Sequence, residues 1–267
     1  MPNTKTISEQ TIDIYIQHPK LHIIYANLIE QGVQIVPTVY TKEISDDALC
    51  RTSVLDWDNR IFGMSILDNP NLTDDIICHE LAHLILLLEG LPVAVPKQNM
   101  EGTFEGSMLG YINNMVHHLE VWRLTQALGF PETTRYEQSI RADMLNRMKN
   151  LQAFLPGVWI QHPHPIVEPS LLREAYYIAS GILCPCLENT KRSLRQTVGQ
   201  YLPNIAPLVD QLVQACHNAL PLSPESALAC LGSLIEPLMP PPGSLLPLYQ
   251  AQPVPAFREK ILHEVGA

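Results

Sequence analysis

The chain has 267 residues, 46% of them hydrophobic and only 16% charged, a balance that builds a sizeable core and excludes an intrinsically disordered protein. Its formal net charge of −10 and its 6% aromatic content argue against a nucleic-acid grip, a base-stacking surface and attachment to anionic membranes.

The N-terminal stretch MPNTKTISEQTIDIYIQ lacks an apolar run and a small-residue cleavage site, so no secretory signal is expected. The longest apolar run, residues 84–88, is far below membrane-spanning length. Among the cysteines, Cys50, Cys78, Cys216 and Cys230 sit in apolar surroundings and read as reduced core thiols of a cytoplasmic protein. Cys184 and Cys186, with one proline between them, lack the spacing of a redox or metal-binding pair.

Residues 8–31 carry Ile12, Tyr15, Ile16, Ile23, Ala26 and Ile29 at roughly helical spacing. Pro19 is expected to split them into a short helix and a longer one that stops at Gly32. Residues 33–40, VQIVPTVY, are β-branched and predict a strand, with Pro37 confining it to an edge or a bulge. Residues 49–67 predict a hairpin that turns at Asp58-Asn59, and Asn69-Pro70-Asn71 closes the strand segment.

Residues 73–90, TDDIICHELAHLILLLEG, predict one helix. Thr73 is expected to cap it, Asp74 and Asp75 suit the positive end of its dipole, and Gly90 ends it ahead of Pro92. The rest is so apolar that the helix must be buried on most sides. His79, Glu80 and His83 lie in its middle, and burying them unpartnered would cost roughly 1–3 kcal/mol for each group. A metal ion removes that difficulty: His79 and His83 are four residues apart, on one helix face, and Glu80 lies beside them. The stretch matches the H-E-x-x-H pattern of zinc metallopeptidases.

A catalytic zinc keeps three protein ligands and an open position, so a third ligand must come from elsewhere. Residues 91–106 read as a loop, and Ser107 as the cap of a second long helix over 108–128, ending at Gly129. Its apolar stripe is Met108, Ile112, Met115, Leu119 and Trp122. Helical geometry turns His117 away from that stripe and puts His118 and Glu120 on its flanks. A flank suits a cleft, which favours His118 as third ligand, with His117 and Glu120 as alternatives. Tyr111, Asn114 and His117 are candidates for an additional oxyanion donor. Loop residues Glu101 and Glu105 read as solvated carboxylates, and His162 and His164, alternating with prolines, as linker residues.

From Pro131 onward the pattern is helical. One amphipathic helix is expected over 134–154, with Ile140, Met144, Met148 and Leu151 inward. Residues 155–169 form a proline-bearing connector. Helices follow near 170–183, 188–201, 204–219 and 223–238, then a proline-rich tail with a short helix at 256–265. The expected organisation is α+β: residues 1–155 a metal-site domain with a small sheet, 156–169 a connector, and 170–267 an all-α region.

The order helix, small sheet, H-E-x-x-H helix resembles the zincin fold. Residues 35–130 are loosely similar to the ImmA/IrrE metallopeptidase-like group, in which a motif such as HELAHLIL joins a later helix that supplies the third ligand. His79, Glu80 and His83 match that motif residue by residue. The group's third ligand is usually a glutamate at shorter separation, and this chain departs from that pattern. The resemblance implies a small sheet whose edge strand flanks the cleft, where a peptide adds as another strand. The function expected is that of a cytoplasmic zinc-dependent metallopeptidase: Zn2+ activates water, Glu80 is the general base, and a peptide or protein is the substrate. The C-terminal helices are expected to meet a protein partner. The alternative is a non-catalytic zinc-stabilised regulator or scaffold of the same fold.

Overall fold

The computed structural model describes residues 12, 15–40, 50–67, 72–95, 104–146, 169–238 and 248–267. The fold is mixed α+β, with a small three-stranded sheet and mostly helical content. The described residues form two units. One lies within Met1–Gly90, Val121–Pro131 and Ala251–Ala267, the other within Leu91–Glu120 and Glu132–Gln250. Of the connector expected over 155–169, residues 155–168 lie outside the described residues and Pro169 opens a helix; Asn69-Pro70-Asn71, Glu101, Met148, Leu151, His162 and His164 also lie outside them.

In the first unit, α1 (Pro19–Glu30) starts where proline is best tolerated, and the His18 side chain accepts the Lys20 N–H at 3.2 Å. It stops before Gly32, whose φ of +78° turns the chain into β1 (Gln34–Tyr40). The predicted hairpin is present as β2 (Cys50–Asp56) and β3 (Ile61–Leu67), paired antiparallel. The Asp56 carboxylate sets its turn by accepting the backbone N–H groups of Asp58 and Asn59 at 3.0 and 3.1 Å. Strand order is β1-β3-β2, with β1 parallel to β3. Pro37 therefore lies on an edge strand, where a missing donor is harmless. Central β3 buries Phe62, Met64 and Ile66.

Helix α2 (Asp74–Leu88) carries the motif and buries Ile77, Cys78, Leu81, Ala82 and Leu84–Leu88. It packs against α1, β2 and the last helix, α9 (Phe257–Glu264). Thr73 is at the N-cap position, but its side chain makes no capping hydrogen bond; its carbonyl accepts the N–H groups of Ile76 and Ile77. At the other end Gly90 has φ +84°. The C-terminal segment returns to this end of α2. Val254 donates its N–H to the Leu88 carbonyl at 2.7 Å, and Arg258 pairs with Glu89 through two nitrogens, Nε at 2.8 Å. Asn27 of α1 donates to Glu264 at 2.7 Å.

Helix α3 runs unbroken over Phe104–Leu128, with Val121–Leu128 belonging to the first unit. Its start corrects the expectation that Ser107 is a cap. Ser107 lies inside the helix, its hydroxyl donating to the Phe104 carbonyl at 2.7 Å.

In the second unit, the segment expected to be only loop contributes β4 (Val93–Ala94), antiparallel to β5 (Leu248–Tyr249). Helix α4 (Thr133–Ser139) passes into a π-helical turn, Ile140–Met144, rather than continuing as regular α-helix. The four later helices fall close to their expected places: α5 (Pro169–Leu183), α6 (Glu188–Tyr201), α7 (Ala206–Asn218) and α8 (Pro224–Ile235). Helix α5 packs on α6, α7 and the π turn, and α7 on α8. Glu137 accepts the Leu187 N–H and, at 2.8 Å, the Thr190 hydroxyl, so a residue of α4 caps the start of α6. Among the described residues no helix is long and apolar enough to cross a membrane.

Candidate metal centre

Helix α2 brings His79 and His83 to one face, their ring centroids 5.1 Å apart and the planes inclined at 69°. His118 of α3 joins them. Each of the three offers one ring nitrogen, and these atoms all lie within 4.8 Å of one another. Nitrogen ligands of a tetrahedral ion at ordinary zinc–nitrogen distances are roughly 3.4 Å apart, so small ring movements bring the cluster to coordinating geometry. The three imidazoles fit a borderline-soft divalent ion of the zinc type. His79 is buried, while His83 and His118 are half-buried, an arrangement that keeps one side of the centre within reach of solvent. The cluster can hold a metal ion.

The alternatives for the third ligand fare differently. His117 was expected on the outer side of its helix; it is buried, and its Nε2 lies 3.1 Å from the Pro92 carbonyl. A carbonyl only accepts, so Nε2 carries the proton and donates. Burial lowers the His117 pKa, against the opposing pull of the Pro92 carbonyl, and favours the neutral ring. One turn earlier, Asn113 pairs with both backbone groups of Ala94. The face of α3 that carries Asn113 and His117 is thus covered by the extended segment 92–94, which the apolar stripe alone did not reveal. Glu120 is buried and is not part of the histidine cluster. Of the oxyanion candidates, Tyr111 and Asn114 are exposed on α3.

Glu80, half-buried beside His79, is tied to the sheet: its Oε2 accepts the backbone N–H of Thr52 at 2.7 Å. Thr52 belongs to edge strand β2, whose Cys50, Thr52 and Val54 are more buried than the exposed Arg51, Ser53 and Leu55. This partner was missed in the sequence. The available signal was the alternation itself, which puts residues 50, 52 and 54 on the side packed against α2. Burial first, then the nearby Glu80 charge, outweigh the Arg51 N–H and push the Cys50 thiol far above its ordinary range. Cys50 is thus held as a neutral thiol.

No protein-family model, curated protein or solved structure matches the chain.

Proposed function

We propose that the chain is a zinc-dependent metallopeptidase with a zincin-like arrangement, His79, His83 and His118 holding the ion and Glu80 acting as general base. The observation that carries this reading is the triple-imidazole cluster with a carboxylate immediately next to its first member. Three neutral protein ligands leave a coordination position for substrate or water, as catalytic rather than structural zinc sites do. Zinc bound there supplies Lewis-acid polarisation of a scissile carbonyl.

Glu80 has the chemistry for the proton transfers. One carboxylate oxygen is fixed by Thr52. The other accepts a proton from the attacking water and returns it to the leaving amine. Holding one oxygen in place limits the rotamer freedom of the base, which favours productive alignment.

The same hydrogen bond favours a second reading, a zinc-stabilised scaffold without catalysis. Glu80 ties α2 to β2, and that role alone gives a reason for a carboxylate at this position. Glu80→Gln separates the two. Its amide oxygen still accepts from Thr52, so the variant keeps fold and zinc under either reading. Under the peptidase reading it loses hydrolysis of a casein or peptide-library substrate by 10²-fold or more. Turnover in Glu80→Gln equal to that of the wild type removes Glu80 as the base. A zinc-loaded wild type that cleaves nothing in such a library favours the scaffold.

A further inference from the structure

We infer that the Thr52 side-chain hydroxyl is a ligand-binding donor of the same site, directed to the carbonyl oxygen of a bound amide; this rests on the peptidase reading and supplies the donor that reading requires. The candidates on α3 do not supply it. His117 is engaged with the Pro92 carbonyl, and Tyr111 and Asn114 are exposed.

Thr52 has the required position. Its backbone N–H is 2.7 Å from Glu80 Oε2, and covalent geometry keeps a threonine hydroxyl within roughly 4 Å of its own nitrogen. The hydroxyl is therefore a near neighbour of the proposed base. It also lies on the side of β2 that packs against α2.

Its bonding state is unusual. Thr52 Oγ1 is buried and has no hydrogen-bond partner among the described residues. Buried hydroxyls are nearly always paired, and one left without a partner is destabilising. Serine and threonine hydroxyls of strands are readily satisfied by neighbouring side chains or carbonyls, as Ser53 shows by donating to Gly63 O at 3.4 Å. An unpaired donor beside a catalytic carboxylate is accounted for when a ligand completes it. A carbonyl oxygen is the acceptor that an amide substrate brings. Peptides and other amides thus form the ligand class, recognised by Thr52 through the oxygen and by Glu80 near the bond to be broken.

Thr52→Val keeps shape and the backbone N–H that holds Glu80, and removes only the hydroxyl. Thr52→Ser keeps the hydroxyl. The probe is acetohydroxamate, whose carbonyl oxygen stands in for that of the amide, titrated calorimetrically into zinc-loaded full-length protein, with zinc content measured for each variant. In Thr52→Val the metal-free protein is expected to melt about 2–4 °C higher, because an unpaired buried hydroxyl is gone. Hydroxamate affinity is expected to fall about tenfold at unchanged zinc content, and Thr52→Ser to restore most of it. Opposite movement of stability and affinity is the signature of a donor reserved for a ligand. Unchanged affinity in Thr52→Val, or a lower melting temperature with unchanged affinity, overturns the assignment, as does a wild type that holds zinc but not the hydroxamate. These readouts do not depend on turnover, so loss of the Glu80 base reading through Glu80→Gln remains a separate result.

Discussion

Asn113 holds Ala94 as a neighbouring strand would: its Nδ2 donates to the Ala94 carbonyl at 2.9 Å, and its Oδ1 accepts the Ala94 N–H at 2.9 Å. His117, one turn along α3, donates to Pro92. Together they pin segment 92–94 to the helix that carries His118. Asn113→Ala and His117→Ala are each expected to destabilise the protein by about 1–3 kcal/mol or more, since the first removes the partner of two backbone groups of Ala94 and the second that of the Pro92 carbonyl. The two losses should be non-additive, because both residues hold one segment. Urea unfolding of the single and double variants measures this, and zinc content should remain at one ion in all three.

The histidine cluster makes a sharper demand. His118→Ala is expected to lower zinc affinity by 10²-fold or more, whereas His117→Ala and Glu120→Gln leave it within a few-fold. Competition with a chromophoric chelator provides the numbers. Full zinc affinity in His118→Ala would remove this residue from the centre.

Gly90 meets two requirements at once. Its φ is +84°, and a Cβ built there would lie 2.7 Å from Pro253 Cγ. Gly90→Ala therefore pays the left-handed cost, about 1–2 kcal/mol, and also pushes the C-terminal segment away from the end of α2. A drop in the urea midpoint of at least that size is expected, with faster proteolysis after residues 251–256. A neutral substitution would show that this contact is readily rearranged.

Glu137 gives a pH dependence with a definite sign. Burial raises its pKa, but the Leu187 N–H, the Thr190 hydroxyl and Arg141 together outweigh it and hold the carboxyl below its ordinary value of 4.5. A folded pKa below the unfolded one means stability that is present above about pH 4.5 and is lost as pH falls through the lower folded value. The melting-temperature difference between wild type and Glu137→Gln should therefore be largest near neutrality and shrink below that pH. A difference that grows on acidification would contradict the cap.

Much of this architecture was legible because its signals are local. The β-branched run at 33–40, the turn at Asp58-Asn59 and the helix stops at Gly32, Gly90 and Gly129 each act through nearby backbone. The later helices were equally readable, since prolines and apolar periodicity punctuate them. His79 and His83 follow from a four-residue spacing, and His118 from its flank on α3. Most of the misses involve partners distant in sequence. Nothing near His117 announces that Pro92 will cover it, and the alternation in residues 50–54 marks the inner side of β2 without naming Glu80 as the partner of the Thr52 N–H. Ser107 looked like a cap because a hydroxyl after glycine usually is one, yet helical structure had already begun at Phe104. The short pairing of Val93–Ala94 with Leu248–Tyr249 spans about 150 residues, a separation that no window of periodicity can bridge.

The return of residues 251–267 to α2 has a consequence for biosynthesis. Val254, Arg258 and Glu264 bond to Leu88, Glu89 and Asn27 respectively, so groups read early by the ribosome wait for partners read more than 160 residues later. At bacterial or eukaryotic elongation rates of roughly 5–20 residues per second, that is a delay on the order of ten seconds or more. The helix bearing His79, Glu80 and His83 stays without its closing contacts throughout that interval. The packing of this helix is therefore completed only once residues 251–267 have been made, so its late contacts set the end of its folding rather than the beginning.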